Sequence, residues 1–298
     1  VISRRGFMKT LGGGFAALLA LGGYAVAEPL VRLVTTRYAL TPRGWTPGLK
    51  LRVAVLTDFH ACEPWMPADR IASICRMANE LEPDIICLLG DFVTGMRLIT
   101  DRVAPNAWAE ALTVLKAPLG VHAVLGNHDW WQDPDVQNGI SAAPFARAAL
   151  ERAGIPVYSN RAIRLEKDGH PFWLAGLEDQ IAILPSRRLG RRAQGRDDLT
   201  GTLKQTTDDA PLILMAHEPD IFPSLPDRIS LTLSGHTHGG QVRIFGYAPV
   251  VPSRYGSRYV YGHITENDRH LIVSGGLGCS GLPVRFGAPP EINLIELG

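Results

Sequence analysis

Five short apolar runs in this chain end in the same way, and that repetition constrains the fold more than any other feature. LRVAVLT (51–57) runs into Asp58 and His60, DIICLLG (84–90) into Asp91, and GVHAVLG (120–126) into Asn127, His128 and Asp129. PLILMA (211–216) runs into His217, and ISLTLSG (229–235) into His236 and His238. Runs of this length, bounded by glycine or polar residues, read as buried strands. A polar group at the end of one buried strand is ordinary. Polar groups at the ends of five are costly unless something common satisfies them.

The segments between these runs carry the other half of the pattern. PADRIASICRMANELEP (67–83), NAWAEALTVLKAP (106–118) and PFARAALERAG (144–154) place apolar residues at helical spacing. Strand and helix therefore alternate, which gives an α/β class with active groups beyond the carboxyl ends of the strands. The second half is richer in strands. IRLEKDGHPFWLAGLE (163–178) reads as a hairpin turning at Asp168-Gly169, and RYVYGHITENDRHLIVSGG (258–276) as another. VRLVTTRYAL (31–40) and EINLIEL (291–297) read as a first and a last strand. The simplest architecture is one domain, residues 28–298, with two sheets between helices. A 46% hydrophobic content supplies its core, and a net charge of +1 provides no field for nucleic acid. Cys62, Cys75, Cys87 and Cys279 form no CxxC pair; Cys75 in a helical pattern and Cys87 in an apolar strand read as buried free thiols, with disulfides as the alternative.

Residues 1–27 differ from the rest. SRRGFMKT is followed by LGGGFAALLALGGYAVAEP, a basic head, an apolar stretch and a small-residue site at Ala25-Val26-Ala27. That order is the order of an export signal. Arg4-Arg5, with Ser3 before and Phe7 and Lys9 after, resembles a twin-arginine signal. The expected partner is then the twin-arginine export machinery. Residues beyond 28 lie in the periplasm or on the outer face of the cytoplasmic membrane. Cleavage after Ala27 and retention as a membrane anchor both stay open.

Five of the nine histidines fall at the strand ends. Carboxylate, imidazole and one amide, without thiolate, suit borderline divalent ions such as Mn, Fe or Zn. Two ions roughly 3.5–4 Å apart lower the pKa of a shared water and clamp attacking and leaving oxygens. One ion would leave several of these side chains idle, and Asp91 is the natural bridge between two. His128, at this point, is a metal ligand, a proton donor or a histidine satisfying a turn.

The order of blocks, D-x-H, G-D, G-N-H-D, H and G-H-x-H, resembles the calcineurin-like metallophosphoesterase superfamily over residues 50–240. The resemblance implies a four-layer α-β-β-α sandwich with two central mixed sheets, the metallo-dependent phosphatase fold. It implies Asp58, His60, Asp91 and His238 at one ion, and Asp91, Asn127, His217 and His236 at the second. It makes His128 the acid standing over the phosphate, oriented by Asp129. The implied activity is phosphoester hydrolysis, with a phosphodiesterase expected first and a phosphomonoesterase or a metal-retaining binding protein as alternatives.

The tail, GHTHGGQVRIFG and SGGLGCSGLPVRFGAPPEI, is similar to the exported, membrane-associated branch, which includes UDP-2,3-diacylglucosamine pyrophosphatases. Export would put such a domain on the wrong side for a cytoplasmic lipid precursor, so a pyrophosphatase of this type stands as a further alternative behind the phosphodiesterase. The substrate is then a phosphoester, lipid- or nucleotide-linked. GLGCSG (276–281) matches GxGxxG, but Leu282-Pro283 prevents a helix in register, so these glycines read as letting a loop approach the metal site. Arg285 is a candidate phosphate contact. Trp130, with Trp65, Met66 and Trp131, is a candidate apolar lip for substrate. SRRLGRRAQGR (186–196) reads as a surface loop.

Overall fold

The computed structural model describes residues 3–298; Val1 and Ile2 of the N-terminal segment lie outside the described residues. The chain opens as helix α1 (Arg4–Val31), capped by the Ser3 hydroxyl, which accepts from Gly6 N at 3.1 Å. Strands β1 (Val34–Leu40), β2 (Leu51–Leu56) and β3 (Cys62–Glu63) lead to helix α2 (Ala68–Asn79). Next come β4 (Ile85–Leu88), β5 (Asp101–Arg102), α3 (Pro105–Leu112) and β6 (Val121–Ala123). Helices α4 (Asn127–Trp131), α5 (Pro134–Gln137) and α6 (Phe145–Arg152) complete the first half. The second half holds β7 (Arg161–Lys167), β8 (His170–Gly176), α7 (Leu199–Leu203) and β9 (Leu212–Met215). It ends with β10 (Leu231–Ser234), β11 (Gly262–Glu266), β12 (Arg269–Val273) and β13 (Glu291–Leu297).

Two mixed sheets follow the orders β1-β13-β2-β4-β6 and β11-β12-β10-β9-β8-β7. β2, β4 and β6 run parallel, as do β8, β9, β10 and β12. The side chains show why the strands read as unbroken apolar runs. Val53, Val55, Ile85 and Cys87 meet Ile213, Met215, Leu231 and Leu233 between the sheets. Ala54, Leu56, Ile86 and Leu88, one residue out of phase, pack on Ile71, Ile74, Trp108 and Ala149 of the helices. On the far side Leu214 and Leu271 pack on Phe222 and Tyr259. Both faces of the central strands are covered, so alternation disappears there, while the outer strands β1, β7 and β11 still alternate toward solvent. The four expected layers are present, the outer one over the second sheet being thin and built of α7 and 3₁₀ turns.

The first hairpin turns where expected, at Asp168-Gly169, and the second turns at Asn267-Asp268. Asp168-Gly169 has φ of 51° and 79°, and Asn267-Asp268 has 51° and 59°. Two left-handed residues joining paired strands match the twist of the ribbon. All four cysteines are buried and free. One expectation is corrected at the start: residues 31–33 do not open the first strand, because α1 runs through Val31. Its last turns are held against the domain. Ala25 O accepts from Arg285 N at 2.8 Å, and the buried Glu28 carboxylate accepts from Gly287 N at 3.0 Å.

Candidate metal centre

The carboxyl ends of β2, β4, β6, β9 and β10 converge at one edge of the two sheets. There the backbone takes a form that side chains adopt at a cost. Asp58, His60, Asp91, His236 and His238 have φ of 56°, 49°, 56°, 69° and 53°. Such left-handed residues cost on the order of 1–3 kcal/mol each and persist only where surrounding structure holds them. Asp129 supplies much of that hold. Its carboxylate accepts from Asp91 N and Gly126 N at 2.9 Å each, from Phe92 N at 2.9 Å and from Val93 N at 3.0 Å. Two strand-end loops are thus pinned by one buried side chain.

The clamped loops bring the polar ends together. Asp58, His60, Asp91 and His238 form one group whose ligand-type atoms lie within 4.8 Å of one another, and Asp91, His217 and His236 form a second. Asp91 belongs to both. Its Oδ2 stands 3.5 Å from His60 Nε2 and 3.4 Å from His217 Nε2. His238 Nε2 lies 3.3 Å from Asp58 Oδ1 and 3.0 Å from His60 Nε2. Asn127 Oδ1 lies 2.8 Å from His236 Nδ1, which adds the amide to the second group. Donor atoms each about 2.0–2.2 Å from one ion stand roughly 3 Å apart, so these separations suit two shared ions.

The histidine tautomers fit the same reading. His217 Nδ1 lies 2.6 Å from Leu89 O and His60 Nδ1 lies 3.1 Å from Val93 O. A ring that donates from Nδ1 to a carbonyl presents a lone pair at Nε2. His217 Nε2 is a buried atom without a hydrogen-bond partner. Burial opposes charge on His217, yet Asp91, Asp58 and Glu218 outweigh it and raise its pKa well above the ordinary imidazole value. Burial likewise opposes charge on Asp91, but His217, His128 and His60 hold it well below the usual carboxylate range. The pocket demands positive charge, which is what divalent ions supply.

A cavity of about 560 Å³ opens from this cluster, bounded by His128, Trp131, Val250, Ser280, Leu282 and Val284 among others. His128 is fixed from below by its own amide, which donates to Asp91 Oδ1 at 2.8 Å. Its Nε2 lies 3.4 Å from Ser280 Oγ, a residue of the cavity wall. Burial lowers its pKa, with Asp91 opposing.

Three expected roles are corrected. Asp129 does not orient the His128 ring, because both of its oxygens are taken by the four amides above. Arg285 does not reach the cavity. It is fully buried, donating to Gly278 O and Ala288 O at 2.9 Å each and to Gly275 O at 2.8 Å, with Nη2 3.2 Å from His238 Nδ1. It fastens the glycine loop instead. That loop does approach the site as expected: a Cβ on Gly278 would stand 2.2 Å from Phe59 O. Trp130 is buried at 3% exposure in the helix-side core, since α4 turns it inward. Trp131, one residue on, lines the cavity, while Trp65 and Met66 border a smaller recess with Pro29 and Leu30 of α1.

The sequence reading passed over three groups. Gly126 leaves no room for a side chain, because a Cβ there would stand 2.4 Å from Asp91 Oδ1 and 2.6 Å from His217 Cε1. Ser280 and Gln241 join the glycine loop to the GHTHGG turn, Ser280 N donating to the Gln241 side-chain oxygen. Behind His217, burial and the neighbouring Glu218 raise the pKa of Asp179 well above its ordinary value. The acidic residues of AHEPD and GLED were the available signal.

Stored strain and buried carboxylates make the site's stability depend on its ions. Chelation of the metal-loaded protein is expected to lower Tm by several degrees. Ligand at a hundred times Kd contributes about 2.7 kcal/mol, and a domain of this size moves roughly 2–4 °C per kcal/mol. Calorimetry with and without chelator measures this. An unchanged Tm would remove the metal reading.

Comparison with known proteins agrees with this geometry. The calcineurin-like phosphoesterase family matches residues 51–240. The chain is 31% identical to the uncharacterised metallophosphoesterase YkuE of Bacillus subtilis, over 99% of this chain and 98% of that protein. It is 27% identical to the phosphodiesterase YaeI of Escherichia coli, over the full length of both. It is 30% identical to a zebrafish (Danio rerio) transmembrane protein with a metallophosphoesterase domain, over 83% of this chain and 53% of that protein. With its family pattern filled and its strand-end cluster assembled, this chain belongs to the calcineurin-like phosphoesterases and is a phosphoester hydrolase.

Proposed function

We propose that the chain is a phosphodiesterase with two divalent ions, drawn from Mn, Fe and Zn, held by α1 on the outer face of the cytoplasmic membrane. The observation that carries the diester is the cavity wall. Among the described residues it holds no lysine or arginine, and Trp131, Val250, Leu282 and Val284 line it. A phosphomonoester is a dianion and gains from extra cations. A phosphodiester is a monoanion with two organic groups, and its second group finds apolar cover here. The similarity to YaeI supports the same choice.

Asp58, His60, Asp91 and His238 would hold one ion, and Asp91, Asn127, His217 and His236 the other. When bound, such ions polarise the phosphoryl oxygens and make a water nucleophilic at neutral pH. The chain's own residues do the rest. Asn127 and the Asp91 loop fix His128 over the site, and His128 Nε2 holds the proton. As water adds to phosphorus and the bond to the leaving oxygen breaks, that oxygen takes the His128 proton; the water gives up a proton to solvent, and solvent returns one to His128. Burial lowers the His128 pKa, so the arriving phosphoester anion favours protonation just where the proton is needed.

Export through a twin-arginine signal and retention of α1 complete the reading. Support comes from the docked end of α1, where Ala25 and Glu28 bond to the domain on both sides of the Ala27 cleavage position. α1, at 28 residues, is also long and apolar enough to cross a membrane.

The full chain loaded with Mn should hydrolyse an aryl phosphodiester with kcat/KM at least about tenfold above that for the matching monoester. A monoester preference would replace this reading with a phosphatase. Turnover confined to UDP-linked lipid would replace it with a pyrophosphatase.

A further inference from the structure

The turn after GHTHGG leaves a large apolar tip in solvent. Ile244 is 51% exposed, Phe245 106%, Tyr247 67% and Val250 73%. Residues 244–253 hold no charged side chain. The tip is built rather than loose. Ile244 N donates to Tyr247 O at 2.9 Å and Tyr247 N to Ile244 O at 3.0 Å, around Phe245 and Gly246 at φ of 49° and 85°. A closed two-residue turn with Phe245 in the left-handed region spends conformational energy to push an aromatic ring into water. Nothing in the site's chemistry uses that ring, and apolar patches of this kind mark interaction surfaces.

The occupant is indicated by what the tip is joined to. Arg243 N donates to Phe286 O at 2.7 Å and Phe286 N to Gln241 O at 2.9 Å. On its other side this 285–287 segment holds α1: Arg285 N bonds to Ala25 O, Gly287 N to the Glu28 carboxylate, and the Phe286 ring meets Tyr24 edge-on at 5.8 Å. The tip and the apolar helix therefore share one seat. Along α1, Phe15, Leu18 and Leu19 are 62–68% exposed, as a bilayer-facing helix would be. Val250 and Leu282, exposed at 73% and 56%, also border the catalytic cavity. An apolar wall thus runs from the α1 side to the metal cluster.

We propose that residues 244–250 insert into the headgroup–acyl boundary beside α1 and set the mouth of the cavity on the bilayer surface. The ester cleaved is then carried by a membrane lipid, whose chains stay in the apolar layer while its phosphate reaches His128. The shallow insertion of aromatic and aliphatic tips is the interfacial mode of membrane binding. The surface rests on the α1-anchor reading, and the lipid substrate also on the diester reading.

The test uses the full chain in vesicles of phosphatidylcholine and phosphatidylglycerol. The four native cysteines are buried, so a nitroxide can be directed to Phe245→Cys or Tyr247→Cys. Asp168→Cys, at the amino ends of the parallel strands, is the aqueous control. Dissolved oxygen is expected to relax the labels at 245 and 247 several-fold more than a water-soluble nickel complex, with the reverse at 168. Nickel access at 245 and 247 equal to that at 168 overturns the surface. In the F245D/Y247D variant, turnover of a vesicle-borne lipid diester relative to a soluble aryl diester is expected to fall at least tenfold. An unchanged ratio overturns the lipid substrate. A buried label on a protein that prefers monoesters removes the diester reading and the lipid diester with it but leaves the membrane surface standing, and an exposed label on an active diesterase removes this proposal alone.

Discussion

Replacing Asp91 by alanine is expected to empty both metal positions and to cut diester turnover by about a thousandfold or more, since the whole activation of water rests on the ions. Asp91 is the one side chain common to both ligand groups, with Oδ2 3.5 Å from His60 Nε2 and 3.4 Å from His217 Nε2. Its Oδ1 accepts the His128 amide at 2.8 Å, so the same substitution loosens the turn that carries the proposed acid. Asp91→Asn separates these two effects. It keeps an oxygen for the His128 amide but removes the charge that two cations share, so metal content should fall while the fold holds. Elemental analysis, circular dichroism and steady-state kinetics on the two variants check this. An alanine variant that keeps two ions per chain and activity within tenfold of the parent would sink the bridging assignment.

How far the site was readable from the chain depends on what kind of signal each residue leaves. The seven ligand-type residues announced themselves because each interrupts an apolar run, and burial makes such an interruption expensive. The sheets were readable for the same reason, as was the turn at Asp168-Gly169, which needs left-handed residues. Asp129 was noticed but given the wrong partner. A carboxylate beside a histidine suggests a dyad, whereas its four amide donors come from loops 36–38 residues away as well as from Gly126. No local pattern carries that information. Arg285 misled in a similar way: an arginine near glycines looks like an anion site, and only the fold shows it spent on carbonyls of that loop. Trp130 and Trp131 are adjacent, and the phase of α4 decides which one faces the cavity. A five-residue helix is too short for periodicity to reveal its phase.

The end of α1 shows a different limit. Residues 1–27 read as a signal or anchor from the order of basic head, apolar stretch and small-residue site, and Val31 read as opening a strand. What moved the boundary was tertiary. Glu28 is fully buried, its carboxylate bonded to Arg32 at 2.9 Å and to Gly287 N at 3.0 Å. A glutamate in an apolar segment reads as a terminator until its distant partner is seen.

His128→Ala should lower kcat by about 10²–10⁴ while leaving both ions in place, the range a positioned proton donor contributes. The His128 ring is outside both ligand groups, so metal content should match the parent. The size of the loss should depend on the leaving group. An alkoxide leaves poorly without a proton, whereas a nitrophenolate departs unaided, so the variant should lose far more on alkyl than on nitrophenyl diesters. A purely structural role predicts something else. Gly95 packs on the ring so closely that a Cβ there would stand 2.4 Å from His128 Nδ1, and a shrunken side chain at 128 would loosen that contact for every substrate alike. Measuring kcat for a series of diesters of rising leaving-group pKa, in the parent and the variant, tells the two apart. A steeper dependence in the variant places the proton on His128; parallel lines with the same offset would mean that the ring only holds the Gly95 turn and that the acid lies elsewhere.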